Sequence, residues 1–168
     1  MLTAMIVIAA LAAQDEGMMP KLDYKGTALE KITALEGHWV MADGDNDGQP
    51  DGTVDYHITS NGSAVVETLF RGTPHEMVTV YTLDGDRVLM THYCALGNQP
   101  RLIGQVKKDN VIHFTFLDGT NIAPSSDSYM GELVMTMTDK DHLRQEWSHY
   151  NGVEKGGTAV FEFTRVSQ

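Results

Sequence analysis

Residues 53–71 read TVDYHITSNGSAVVETLFR, and this stretch decides the fold. On both sides of Asn61-Gly62, β-branched and aromatic residues alternate with polar ones, the pattern of two half-buried strands joined by a tight turn. Asn-Gly suits that turn because both of its central positions need positive φ. The same grammar continues outward. Strand-like runs occupy 38–42, 53–60, 63–71, 75–83, 86–94, 101–108, 111–117, 131–138, 142–150 and 157–166. Between them stand Asp84-Gly85, Asp109-Asn110, Asp118-Gly119, Asp139–Asp141 and Asn151-Gly152. Short strands joined mostly by hairpins leave two exposed edges unless the sheet closes on itself. The expected fold is therefore all-β, an antiparallel up-and-down barrel of about ten strands, with a sandwich as the alternative. One helix is expected before the strands. Thr27 and Glu30 have capping-box spacing, and Ala28, Ile32 and Leu35 recur at helical intervals before Gly37.

The chain has 168 residues, enough to bury a core without disulfides or metal staples. Its 12 basic and 23 acidic residues leave a net charge of −11, a field that repels nucleic acid and anionic lipid. Residues 1–13, MLTAMIVIAALAA, are uncharged and followed at once by Gln14-Asp15-Glu16. So short an apolar run cannot span a bilayer, but it fits a signal peptide cut after Ala12 or Ala13. The expected organisation is a signal peptide at 1–13, a tether at 14–26 and a single barrel domain at 27–168. The protein would be exported to a periplasmic or extracellular location. Cys94 is the one cysteine, so no internal disulfide can form.

Gly37-His38-Trp39 stands where the short helix meets the first strand, and Arg165 lies in the last strand. These residues resemble the Gly-x-Trp opening and late Arg of lipocalins and related calycin barrels. The resemblance implies that Trp39 plugs one barrel end with Arg165 packed over it. A guanidinium on an indole face is a cation–π contact of roughly 0.5–2 kcal/mol. A central block runs from Glu67 through His75-Glu76-Met77, Tyr81, Thr91-His92-Tyr93-Cys94 and Asn98-Gln99-Pro100-Arg101. It is similar to exported bacterial lipocalin-like proteins of unknown function. That likeness implies a fold and no particular activity.

Hairpin register says which side chains share a face. A turn centred on Asn61-Gly62 sets Tyr56 opposite Glu67, among Val54, Ile58, Val65 and Leu69. This apolar face should point inward and carry Glu67 with it. An interior carboxylate needs a partner, and Tyr56 or Arg101 can serve. Glu67 would then be a ligand anchor, a general base with a raised pKa, or a structural hydrogen-bonding group. A turn centred on Asp84-Gly85 sets His75 opposite Cys94 and Met77 opposite His92, with Thr79, Tyr81 and Met90 on the same face. The opposite face, with Val78, Val80, Leu89, Thr91 and Tyr93, is also apolar enough to be the inner one. His75, His92 and Cys94, with His149 added, would offer zinc or copper ligands, or a haem axial ligand. Packing at the barrel mouth is the plainer account. The following loop brings Asn98, Gln99 and Arg101 together, donors that can orient a carboxylate or carbonyl ligand. Alternatively, the amides make turn bonds and Arg101 pairs with a surface acid. Trp147 shares a face with Gln145 and His149 and could line a cavity.

Asp43-Gly44-Asp45-Asn46-Asp47-Gly48-Gln49-Pro50-Asp51 has the alternating carboxylates of a calcium loop. Asp43, Asp45, Asp47 and Asp51 would supply carboxylates and Gln49 its backbone carbonyl. Val54 stands where an EF-hand has its last carboxylate, so a shorter loop or a solvated acidic hairpin tip is expected. Three functions fit these residues. The first is a small-molecule-binding barrel of the cell envelope. The second is a calcium-stabilised accessory protein with a filled barrel. The third is an enzyme using Glu67 and His92 as acid–base groups.

Overall fold

The computed structural model describes residues 24–166. The expected signal peptide and all but the last three residues of the tether lie outside them. Helix α1 (Ala28–Thr33) is followed by β1 (Gly37–Val40), β2 (Thr53–Thr59), β3 (Ala64–Leu69), β4 (Met77–Asp84) and β5 (Arg87–Tyr93). Then come β6 (Gln99–Lys108), β7 (Val111–Thr120), β8 (Ser128–Met137), β9 (His142–Asn151) and β10 (Glu154–Arg165). Every strand pairs antiparallel with its neighbours in sequence, and β1 pairs with β10 to close the barrel. Closure gives every strand a partner on both sides, which is the solution the turn pattern called for. This all-β up-and-down barrel is compatible with the calycin type. No helix among the described residues is long and apolar enough to cross a membrane.

The strands alternate direction, so the connections fall into two sets. The turns at 60–63, 85–86, 109–110 and 138–141 lie at the end where α1 packs. The longer connections at 41–52, 70–76, 94–98 and 121–127, with the turn at 152–153, lie at the other end, the loop end. Ala28, Leu29 and Ile32 of α1 are buried, and the helix touches β2, β4, β5 and β6. Thr27 makes no side-chain cap to the helix. Its hydroxyl donates to Tyr24 O at 2.5 Å, while Glu30 Oε2 accepts from Gly26 N at 2.7 Å. Trp39 is buried, and its indole N–H donates to Leu35 O at 2.8 Å. The Arg165 guanidinium lies 4.0 Å from the Trp39 ring centroid. Arg165 also donates to Glu36 O at 2.6 Å and Ala34 O at 2.9 Å, satisfying carbonyls at the C-terminal end of α1. One side chain thus ties helix, first strand and last strand together.

Three turns differ from expectation for reasons of backbone geometry. Around Asn61-Gly62 the connection has four residues, since Thr59 pairs with Ala64. It is centred on the same dipeptide, so Tyr56 still faces Glu67. In the next hairpin Asp84 pairs with Arg87, and Gly85-Asp86 forms the turn. Gly85 has φ +66 while Asp86 keeps a negative φ, the requirement of a turn with glycine at its first central position. The register therefore moves by two residues. His92 faces Thr79 instead of Met77, and the inward set of side chains survives because the shift is even. Asp118-Gly119 is no turn. Both residues lie in β7, paired with Arg101 and Pro100, and the chain reverses at 121–127 instead. A Cβ on Gly119 would stand 2.9 Å from Gln99 O, so this glycine permits close backbone approach.

The interior is layered along the barrel axis. Toward α1 it is apolar, with Val88, Ile112, Phe114, Met135 and Leu143 all buried. Phe114 lies over Gly104, where an added Cβ would come within 2.5 Å of its ring. Halfway along, Tyr56, Glu67, Tyr81 and Gln145 form a polar layer. Nearer the loop end, Thr79, His92, Asn98 and Trp147 form a third, and all eight of these polar-layer side chains are buried.

Candidate functional site

Glu67 is 1% exposed, and one of its oxygens gathers the middle layer. Glu67 Oε2 accepts from Tyr56 Oη at 2.6 Å, Tyr81 Oη at 2.9 Å and Gln145 Nε2 at 2.9 Å. Trp147 fixes the amide orientation, because its indole can only donate and does so to Gln145 Oε1 at 2.8 Å. Burial pushes the Glu67 carboxyl up, and hydrogen bonds from Tyr56, Tyr81 and Gln145 pull it part of the way back. Burial and the neighbouring carboxylate hold the Tyr56 and Tyr81 phenols well above their ordinary value, so both remain donors. Arg101 is not the partner of Glu67. It points outward on β6 and makes a two-pronged pair with Asp118, one bond at 2.5 Å. Its outward position follows from strand alternation, since Pro100 and Leu102 take the inward places.

His92 is 2% exposed and packs against Trp147 with ring centroids 4.6 Å apart and the rings tilted by 39°. Its Nδ1 lies 2.9 Å from Thr79 Oγ1. Thr79 stands directly opposite Glu67 in the β3–β4 ladder, so its hydroxyl lies between the carboxylate layer and the His92 ring. The tautomer of His92 decides which of Thr79 Oγ1 and His92 Nδ1 donates to the other. Burial lowers the His92 pKa to about 4, so the ring is neutral at pH 7. The Nε2 atom is buried and has no hydrogen-bond partner. Asn98 is in the same position. Its Nδ2 donates to Ser128 O at 2.8 Å, which fixes the amide, and its buried Oδ1 has no partner.

The remaining candidates do not join this group. His75 is exposed in the 70–76 loop, and the shifted register removes it from Cys94. Cys94 sits in a turn whose Gly97 N–H donates to its carbonyl, and burial pushes its thiol pKa up, the opposite of an activated nucleophile. Gln99 bonds within its own loop, to Gly97 O and Thr120 Oγ1. His149 bonds Gly157 O at 3.0 Å and packs over Gly156. Among the described residues, His75, His92 and Cys94 therefore form no common ligand set.

In the acidic loop, ligand oxygens of Asp43, Asp45 and Asp51 lie within 4.8 Å of one another. Asp47 is outside that group, its Oδ1 accepting from Gln49 N at 2.8 Å. Asp43 also accepts from Asp47 N and Gly48 N, and Asp51 from Gly44 N. Backbone amides thus take up part of the carboxylates' bonding capacity.

Reasoning from sequence missed Thr79 and Gln145 as members of the site. Gln145 was legible in one respect, since it lies one strand period from Trp147. Compared with protein-family models and with curated proteins, the chain matches none.

Proposed function

We propose that this protein is a binding barrel of lipocalin-like type. It takes up a small molecule at the loop end of its interior, where His92 and Asn98 recognise the ligand and Trp147 forms an apolar wall. The observation that carries this reading is the pair of unpartnered polar atoms, His92 Nε2 and Asn98 Oδ1. Buried polar groups are nearly always hydrogen-bonded, because leaving one unpaired costs about 1–3 kcal/mol. The middle layer obeys that rule closely, with Tyr56, Tyr81 and Gln145 all donating to Glu67 and Gln145 also donating to Tyr56. His92 on β5 and Asn98 in the connection that follows it are exceptions within the interior, and we read them as a site awaiting a partner. Binding fits the geometry better than turnover, since the Glu67 oxygen already takes three donors and the thiol of Cys94 is not activated. Export to the cell envelope, suggested by residues 1–13, is part of the proposal.

Native mass spectrometry of the purified protein tests it. A co-purified mass that is retained under gentle ionisation, and lost in His92→Phe, is the expected result. A bare polypeptide mass, with no thermal stabilisation by any member of a diverse small-molecule collection, would remove the reading.

The acidic loop supports a second, separate reading, weak structural calcium binding by Asp43, Asp45 and Asp51. The convergence of their oxygens within 4.8 Å is the observation in its favour.

A further inference from the structure

Two register pairs close the barrel. Trp39 faces Arg165 and Val40 faces Thr164, and there β1 ends, while β10 reaches back toward the loop end as far as Glu154. This longer part of β10 has β9 on one side and, among the described residues, no strand on the other. Two backbone bonds say which residues face the open side. Arg165 N donates to Asp141 O, toward β9, and Val166 N donates to His38 O, toward β1. Backbone groups alternate sides along a strand, and the β9–β10 register is unbroken between Thr158 and Thr164. Glu162, Val160 and Thr158 therefore turn both N–H and C=O away from β9. All three residues are exposed, and these backbone groups have no partner among the described residues.

This open edge is short and backed. The register shift between Lys155 and Thr158 ends it on one side and the pairing of Thr164 with Val40 ends it on the other. It admits one short strand, not an open-ended stack. Phe161 points inward, opposite Gln145, and the ring of Phe70 meets it edge-on with centroids 5.3 Å apart. The interior side of the edge is thus apolar, and Val160 stands 44% exposed on the outer side.

The rim is acidic. Ala42, just past the end of β1, shares a surface groove with Glu162, Phe163 and Thr164, and the acidic loop begins at the next residue. Residues 41–52 carry four aspartates and no basic side chain. Glu162 projects from the edge itself, and Arg144 beside it is already shared with Glu146. A second copy of the chain would set a net charge of −11 against −11, whereas a cationic strand is drawn in by the same field.

We propose that the edge of β10 is a docking site for an extended, cationic polypeptide segment, which adds to the sheet as a further strand. Its main chain pairs with Thr158, Val160 and Glu162. Its lysine or arginine side chains lie toward Glu162 and the acidic loop, and its alternate, apolar residues lie on the side of Phe161. The site is on the outside of the barrel and does not depend on a ligand within it.

Backbone amide exchange of the full chain tests this, with an end-blocked heptapeptide of alternating valine and lysine as the probe. In the free protein the amides of Thr158, Val160 and Glu162 should exchange fast, and those of Ala159 and Phe161, bonded to β9, slowly. Saturating peptide should slow the first three at least tenfold and leave the other two unchanged, a readout that needs no variant to fold. The valine–glutamate counterpart should bind at least tenfold more weakly. Val160→Pro removes the central donor of the edge and no bond to β9, so it should weaken the lysine peptide at least tenfold with the barrel intact. A lysine peptide that binds without slowing those three amides would overturn the proposal, since charge alone would be holding it. Equal binding of the glutamate peptide would overturn the cationic partner. Slowing of the three amides that grows with protein concentration, without any peptide, would put a second copy on the edge instead. No binding of the lysine peptide would overturn the site itself.

Discussion

Lowering the pH from 7 to 5 tests the buried, neutral state of His92. In the unfolded chain its imidazole takes a proton near its ordinary value of 6.5, whereas in the fold it resists until about 4. Between those values the unfolded chain holds the extra proton, so stability is full above about 6.5 and is lost as pH falls toward 4. One pKa unit is worth about 1.4 kcal/mol, and integrating from pH 7 to pH 5 gives a loss of about 2 kcal/mol. For a domain of this size that is roughly 4–8 °C in Tm. The measurement compares urea or thermal unfolding of the parent and His92→Phe at both pH values. A phenyl ring keeps the tilted contact with Trp147 and gives up one hydrogen bond to Thr79, but it also removes the unpaired Nε2. The two proteins should therefore have similar stability at pH 7. The six other histidines are common to both proteins, so the extra loss of about 2 kcal/mol by the parent at pH 5 belongs to His92. Equal pH dependence in the two proteins would mean that His92 accepts a proton within the fold, and the argument from its buried Nε2 would collapse.

Glu67 should act in the opposite direction: its folded pKa is raised, so the folded state binds this proton first and gains stability as pH falls toward 4.5. Glu67→Gln should erase that gain in urea titrations, and a profile unchanged by the substitution would place the carboxyl in solvent. Gly104→Ala forces a methyl to within 2.5 Å of the Phe114 ring, so it should cost about 1–3 kcal/mol in chemical denaturation. A neutral result would show that Phe114 does not cover that glycine. If Asp43, Asp45 and Asp51 bind calcium, a hundredfold excess over the dissociation constant should add about 2.7 kcal/mol to stability. Asp45→Ala should abolish the difference between melts in calcium and in chelator, while identical melts of the parent would leave the loop a solvated turn.

The barrel was legible because hairpins constrain a sequence locally. Asn61-Gly62 with alternating residues on each side fixed the pairing of Tyr56 with Glu67, and the pairing placed a carboxylate inside. The register around Asp84-Gly85 was not legible from the dipeptide, since Gly85 can occupy either central position of a turn. Only the conformation of Asp86 distinguishes them. Asp118-Gly119 misled for a related reason. A glycine needed for positive φ and one needed for close approach look the same in a sequence, and Gly119 is of the second kind. The site was half legible. Strand alternation put Glu67 on an inner face and grouped Tyr81 with His92 without saying which way that face points, and Gln145 lies 78 residues from Glu67 in the chain. Nothing local signals a contact made only by closure of the barrel. The unpartnered state of His92 Nε2 is further still from the sequence, because it depends on every polar group that the closed barrel brings around it.

The two imidazole nitrogens of His92 test the central claim most directly. A long-range nitrogen–proton correlation spectrum at pH 7 resolves them. The account predicts a neutral ring whose Nε2 resonance moves when the co-purified small molecule is removed. An imidazolium signature at pH 7, or an Nε2 resonance that is the same with and without that molecule, would contradict it.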